Sequence, residues 1–256
     1  MAELVDAVDS KSTLSNKVLV RVQSSATSFM DWIQKFDLFL FDFDGLLVNT
    51  EDLHFAAYQE MCRRRGFSLD WTLAQFFEAA HLSSTGIKEG IYRRFPELQA
   101  QEPQWEVLYA EKKQIYQELL SRGELALLPG VEKILQELEK LNKRRCVVTN
   151  STAAQVNAIK EKIPLLKTIP HWFSRESYKE PKPHPECYEI AIQQLGYPKD
   201  RMIGFEDSLR GLKALRGAGV PVTLLICPSD HPQLKQKGLL EGFYFPSFEA
   251  IPVGFC

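Results

Sequence analysis

The sequence predicts an α/β fold, with a doubly wound parallel-sheet core and an inserted all-helical cap domain. Three observations predict it. Short apolar runs end at polar turns, helical periods separate those runs, and one long stretch from about Glu51 to Leu125 carries helix signals without a strand. The chain has 256 residues, 45% apolar and 25% charged, an ordinary balance for a folded protein of one large domain or two modest ones.

Phe36–Phe41 is a nearly continuous apolar run ending at an acidic, glycine-containing turn, as in a strand buried on both faces. Cys146–Val148, Met202–Phe205 and Val222–Ile226 read as further strands. After Pro129-Gly130, the residues Val131, Ile134, Leu135, Leu138 and Leu141 recur at helical spacing. Ile190, Ala191 and Leu195 lead to Gly196, a helix stop, and Leu209, Leu212 and Leu215 open a helix ending at Gly217 or Gly219. In the strandless stretch, Leu53, Ala56, Ala57 and Met61 make one amphipathic stripe. Leu108, Ile115, Leu119 and Leu120 make another, and Pro96, Pro103 and Gly123 supply breaks. The expected division is a core of residues 30–50 and 126–256 and a cap of 51–125, with hinges near 46–52 and 122–130.

Lys and Arg number 31 against 33 Asp and Glu, a formal charge of −2. That balance offers no basic excess for nucleic acid or anionic membranes, and no run approaches the ~20 apolar residues of a membrane span. Neither class of partner is expected. The cysteines Cys62, Cys146, Cys187, Cys227 and Cys256 are scattered, odd in number and without a CxxC pair. They fit a reducing compartment, offer no zinc signature, and place Cys146 and Cys227 in apolar, core-like runs. Residues 1–30 hold no apolar signal region, so a cytoplasmic location is expected.

Residues 1–29 differ from the rest, with neither a helical nor a strand period. One reading is a disordered leader. Back-translation suggests another: Val8–Thr13 can be encoded by a self-pairing stem, Ala2-Glu3 by the complement of codons within Ser24–Ala26, and Leu19–Gln23 by a T-arm-like string. The segment resembles a translated leucine transfer-RNA gene, which would make Met30 the start.

Chemistry-bearing residues cluster at strand ends. Asp42 and Asp44, in Asp42-Phe43-Asp44-Gly45, are two apart and so project to the same side of an extended turn. Open α/β sheets bind ligands at such carboxyl ends. Thr149-Asn150-Ser151 offers hydroxyls, an amide and backbone N–H groups suited to an anionic oxygen. Lys182 lies between prolines that stiffen its loop. Glu206-Asp207 pairs carboxylates at a buried strand end, a costly arrangement unless a cation is present, and Mg²⁺ is the natural hard partner. Singly, these are also an acidic turn, an N-cap, a solvated lysine and an acidic helix start.

Taken in order, the strings FDFDGLLVNTE (41–51), VVTNST (147–152), KPHPECY (182–188) and GFEDSLRGLKALRGAG (204–219) resemble the haloacid dehalogenase superfamily. The resemblance covers about residues 36–226. The cap between the first two motifs is similar to cap-class-one members, in the β-phosphoglucomutase and phosphoglycolate phosphatase group. It implies a Rossmann-like core and phosphoryl transfer. Asp42 would be the nucleophile that becomes an aspartyl-phosphate, and Asp44 the general acid and then base. Thr149 and Asn150 would hold phosphoryl oxygens and Lys182 would tether the phosphate. Mg²⁺ would sit on the Asp42 carboxylate, the Asp44 carbonyl and Asp207, with Glu206 in or just behind that shell.

Having both Asp42 and Asp44 favours phosphoryl transfer over dehalogenation. The turn Asn49–His54 resembles that of β-phosphoglucomutases, with Thr50 and His54 in register. His54 is expected either to face substrate or to pack within its helix. The matching cap segment, His81–Lys88, lacks the arginine of the mutases, a bidentate donor for a second phosphate. The expected function is a Mg²⁺-dependent phosphomonoester phosphatase acting on a small phosphorylated metabolite, as a monomer or weak homo-oligomer. A sugar-phosphate mutase is the alternative, and a phospho-acceptor signalling module a further one.

Overall fold

The computed structural model describes residues 31–82, 85–123, 125–235 and 242–255. The leader and its transfer-RNA reading lie outside the described residues, as do Ser83 and Ser84 of the cap segment.

Six strands form one sheet: β1 (Leu38–Phe41), β2 (Arg144–Val148), β3 (His171–Phe173), β4 (Met202–Glu206), β5 (Val222–Ile226) and β6 (Phe243–Phe245). All pair in parallel, in the order β3-β2-β1-β4-β5-β6. The chain builds outward from β1 to β3, then crosses to the other side of β1 at β4. The crevice between the carboxyl ends of β1 and β4 is therefore the topological switch point.

The sheet is buried on both faces because its strands alternate large apolar side chains. Phe39 and Phe41 pack with Val131 and Ile134 of α6 (Val131–Lys140) and Val156 and Ile159 of α7 (Ala153–Lys162). Leu38 and Leu40 pack the opposite way, with Tyr188 and Ala191 of α8 (Glu186–Leu195) and Leu215 of α9 (Leu209–Gly217). Helices on both faces of a parallel sheet are the doubly wound arrangement that the sequence predicts. Four predicted strands are present, β1 starting at Leu38 because Phe36 belongs to the preceding turn. The two three-residue edge strands, β3 and β6, were not expected.

Between β1 and α6 run five helices and, among the described residues, no strand: α1 (Glu51–Arg64), α2 (Leu73–Leu82), α3 (Gly86–Arg94), α4 (Pro96–Gln101) and α5 (Trp105–Arg122). Both expected stripes are inward-facing. Ala57 and Met61 of α1 and Leu108, Ile115 and Leu120 of α5 are buried in the interface of these two helices. The segments entering and leaving this helical cap pair with each other. Asn49 N–H donates to the Ala126 carbonyl (3.2 Å) and Ala126 N–H to Asn49 Oδ1 (2.8 Å). The four described cysteines are buried thiols, Cys146 and Cys227 among them.

Candidate active site

Sheet pairing carries the backbone right up to the site. Asp42 N–H continues the β1–β4 ladder by donating to the Phe205 carbonyl (3.0 Å), and Thr149 N–H continues β2–β3 by donating to Phe173 (2.9 Å). Gly45, at φ +74°, turns the chain sharply after Asp44, and a Cβ there would strike Asp207 Oδ2. Gly211, in the first turn of α9, has no side chain because the Glu206 carboxylate occupies that space. The DxDG turn and the Glu206-Asp207 pair are thus packed against each other by glycines.

At the centre lies Lys182, 4% exposed. Its Nζ donates to Asp42 Oδ1 (2.5 Å), Glu206 Oε1 (2.7 Å) and the Val148 carbonyl (2.7 Å). Burial alone would lower its pKa, but the Asp42 and Glu206 carboxylates hold it well above the usual lysine range. The loop bearing Lys182 is pinned at several points. Its N–H donates to Asn150 Oδ1 (3.3 Å), which also accepts from the Tyr178 hydroxyl (2.8 Å), and the Lys182–Pro183 peptide is cis. The Asn150 side chain therefore serves the loop in this conformation.

Asp44 is held by three hydroxyls. Thr50 donates to Oδ1 (2.8 Å), while Thr149 (3.0 Å) and Ser151 (2.6 Å) donate to Oδ2. The N-cap of α7 is Thr152, which with Gln155 forms a capping box. Thr149, Asn150 and Ser151 consequently lie ahead of the helix and are not its cap.

The carboxylates of Asp42, Glu206 and Asp207 bring one oxygen each within 4.8 Å of the others, and all three residues are buried. Burial first, then neighbouring negative charge, pushes the Asp42 and Asp207 carboxyls well above the usual range. Lys182 balances one charge of this set, leaving an excess that a divalent cation matches. Glu206 Oε1 already accepts from Lys182 and from the Tyr188 hydroxyl (2.5 Å), so Asp42 and Asp207 are the freer metal ligands of the three.

These groups line a cleft of about 490 Å³ whose other wall belongs to the cap. There Lys112 of α5, 3% exposed, donates to His54 Nδ1 (2.6 Å) and lies 4.7 Å from the Tyr58 ring centroid and 5.1 Å from that of Tyr116. His54 stacks on Tyr116 at 4.2 Å. Burial and the ammonium keep the imidazole well below its usual pKa, so it is the neutral acceptor. Burial lowers Lys112 to about 8, and burial together with the Asp44 charge raises the Glu51 carboxyl to about 7. His54 lines the cleft and packs within the helices at once.

The structure brings together Asp42, Asp44, Thr149, Asn150, Lys182, Glu206, Asp207 and His54 around this one cleft. Lys112, Glu51, Tyr188 and Arg210 were not singled out from the sequence. Lys112 sits in a helix rich in Glu, Lys and Gln, and only the packing of α5 on α1 buries it.

Comparison with known proteins agrees with this geometry. The family model described as haloacid dehalogenase-like hydrolase matches residues 39–225. Protein CbbY of Cereibacter sphaeroides is 30% identical over 186 residues, covering 71% of this chain and 80% of its own length. A phosphorylated carbohydrates phosphatase of Thermotoga maritima is 25% identical over 186 residues, covering 71% and 81%. The crystal structure of CbbY from Rhodobacter sphaeroides in complex with phosphate superposes with a TM-score of 0.66 at 24% identity, over 84% of this chain and 96% of that one. With a family model matching most of its length and a relative at 30% identity, the chain belongs to the haloacid dehalogenase-like hydrolases.

Proposed function

We propose that the protein is a Mg²⁺-dependent phosphatase of small phosphorylated metabolites, phosphorylated carbohydrates foremost, working through an aspartyl-phosphate on Asp42. The observation that carries this reading is the buried set Asp42, Lys182, Glu206 and Asp207, with Asp44 held two residues away by three hydroxyls. Residues 30–50 and 126–256 would act as the core, and 51–125 as a cap moving on the paired linkers.

An Asp42 oxygen attacks phosphorus, forming an O–P bond as the bond to the leaving oxygen breaks. That oxygen takes the electron pair and the proton held by Asp44. Asp44 then removes a proton from water, whose oxygen displaces the Asp42 carboxylate and releases inorganic phosphate. Lys182 stays beside Asp42 and offsets charge on the phosphoryl oxygens, with backbone N–H groups near Asn150 and the Thr149 hydroxyl, once it turns from Asp44, as further donors. Asp42, the Asp44 carbonyl and Asp207 would hold Mg²⁺, with Glu206 behind, and the ion would supply further positive charge at phosphorus when bound. Water control falls to the cap, where Lys112, His54 and Glu51 line the cleft.

The names of related proteins support the substrate class: the phosphorylated carbohydrates phosphatase above and hexitol phosphatase A of Escherichia coli, 25% identical. The cap wall also suits a sugar, since the aromatic residues Tyr58, Trp105 and Tyr109 line it together with Glu51 and Glu106. The test is phosphate release from phosphorylated sugars and hexitols, 2-phosphoglycolate and nucleoside monophosphates, with Mg²⁺ and without a bisphosphorylated primer. Steady release of inorganic phosphate from the sugars supports the reading. A requirement for primer with an isomerised product would make the protein a mutase, and one-time labelling a phospho-acceptor.

A further inference from the structure

The cap touches the core at a second place, away from the paired linkers. α2 packs on the loop that follows β5, with Phe77 against that loop and Ala80 one turn further on, against α9. The ring of Phe77 is 4.5 Å from that of His231, and Arg210 Nη1 donates to the Ala80 carbonyl at 3.4 Å.

Each of these contacts leads inward to a backbone group of the site. His231 Nδ1 accepts from the N–H of Gln233 (3.3 Å), shaping the turn in which Gln233 is 3% exposed. The Gln233 amide spans two groups: Nε2 donates to the Asp207 carbonyl (2.6 Å) and Oε1 accepts from Leu209 N–H (3.0 Å), the start of α9. The second arm of Arg210, Nη2, donates to the Lys182 carbonyl (2.8 Å). A planar guanidinium can hold two carbonyls in fixed relation, and burial around Arg210 strengthens both bonds. Arg210 thus bridges the Ala80 and Lys182 carbonyls at the edge of the cleft that it also lines.

We propose that Arg210 and Gln233 are positioning residues. Through them the seating of α2 on the core sets the backbone at Lys182 and Asp207. When the cap is docked, Phe77 and Ala80 load one end of the relay, and the phosphate-tethering lysine and the metal-binding aspartate are held at the other. Lifting α2 frees both backbones together. The proposal rests on the roles given above to Lys182 and Asp207.

Hydrogen exchange on the full chain tests it without requiring turnover. His231→Ala removes the docking ring together with the acceptor of the Gln233 N–H. It should speed exchange in α2 and, by about tenfold, in residues 179–184 and 206–209 as well. Arg210→Met should do the same, while Arg210→Lys, able to reach one carbonyl at a time, should fall between it and wild type. Inorganic phosphate, titrated by calorimetry in Mg²⁺, should bind about five- to tenfold more weakly to His231→Ala. Faster exchange confined to α2, or no change there, would overturn the relay. Thermal melts identify any variant that fails to fold, and His231→Ala and Arg210→Lys then decide the matter. If no phosphate ester is turned over while the exchange coupling is present, the phosphatase reading fails and the relay stands.

Discussion

Replacing Lys182 by methionine removes the only ammonium bonded to the buried carboxylate set among the described residues, while nearly keeping the side-chain length. Asp42 Oδ1 and the Val148 carbonyl lose this donor, and Glu206 Oε1 keeps only the Tyr188 hydroxyl. Breaking a buried pair from one side leaves an uncompensated charge and costs about 3–5 kcal/mol. Proton uptake offsets part of it. Burial and the Glu206 charge already hold the Asp42 carboxyl well above its usual range, and without the ammonium it moves further up. The folded variant therefore binds a proton more readily than the folded wild type, while the unfolded chains match. The loss, about 4 kcal/mol at pH 8, is smaller at pH 6, by up to about 1.4 kcal/mol for each pH unit over which the variant alone takes up the proton. Urea unfolding in EDTA at the two pH values reads this directly. A loss below about 1 kcal/mol at pH 8, or equal losses at both, would refute the charge argument.

Asp42→Asn should abolish Mg²⁺-dependent hydrolysis of an aryl phosphate without lowering the melting temperature, because the ionised carboxylate is disfavoured where it lies; a variant as active as wild type contradicts this. Thr50→Val and Ser151→Ala each remove one hydroxyl from Asp44 and should each lower kcat about tenfold with little change in KM, as steady-state kinetics would show. The Glu51 carboxyl is raised from 4.5 to about 7, so its contribution to stability is complete below 4.5 and is lost as pH rises to about 7. Glu51→Gln escapes that loss and should gain on wild type between pH 5 and 8, by at most about 3 kcal/mol for a group that keeps part of its surface in the open cleft. Parallel stability curves would contradict it. Removing divalent ions with EDTA should stop turnover and leave the protein folded, with activity restored by added Mg²⁺.

What could be read from the sequence follows from how local each signal is. β1, β2, β4 and β5 are legible because strands buried on both faces must be apolar at nearly every position. β3, His171-Trp172-Phe173, and β6, Phe243-Tyr244-Phe245, have three residues each, too few to display a period. Helix α7 is polar and lightly buried, and its local signal is the capping box of Thr152 and Gln155 that starts it. Thr149, Asn150 and Ser151 are cap-type residues too, and only the box distinguishes Thr152 from them. Asp42, Asp44, Lys182, Glu206 and Asp207 could be singled out because each stands at the polar end of an apolar strand or between prolines. Lys112, Arg210 and Gln233 could not, since a lysine, an arginine or a glutamine beside a helix or turn is ordinarily solvated. The docking of α5 on α1 buries Lys112, while Arg210 and Gln233 find their partners at the Ala80, Lys182 and Asp207 carbonyls, brought together only by the tertiary fold.

The covalent intermediate on Asp42 offers the most direct test of the whole account. In Asp44→Asn the group that activates water is lost, while a good aryl leaving group needs no proton, so the aspartyl-phosphate should accumulate. Brief reaction with p-nitrophenyl phosphate and Mg²⁺, acid quenching and borohydride reduction would convert a phosphorylated aspartate into homoserine, which mass spectrometry of the peptide containing Asp42 locates. The account predicts homoserine at position 42, absent from the additional Asp42→Asn variant. Release of p-nitrophenol with position 42 unmodified, or modification at another carboxylate, would contradict it.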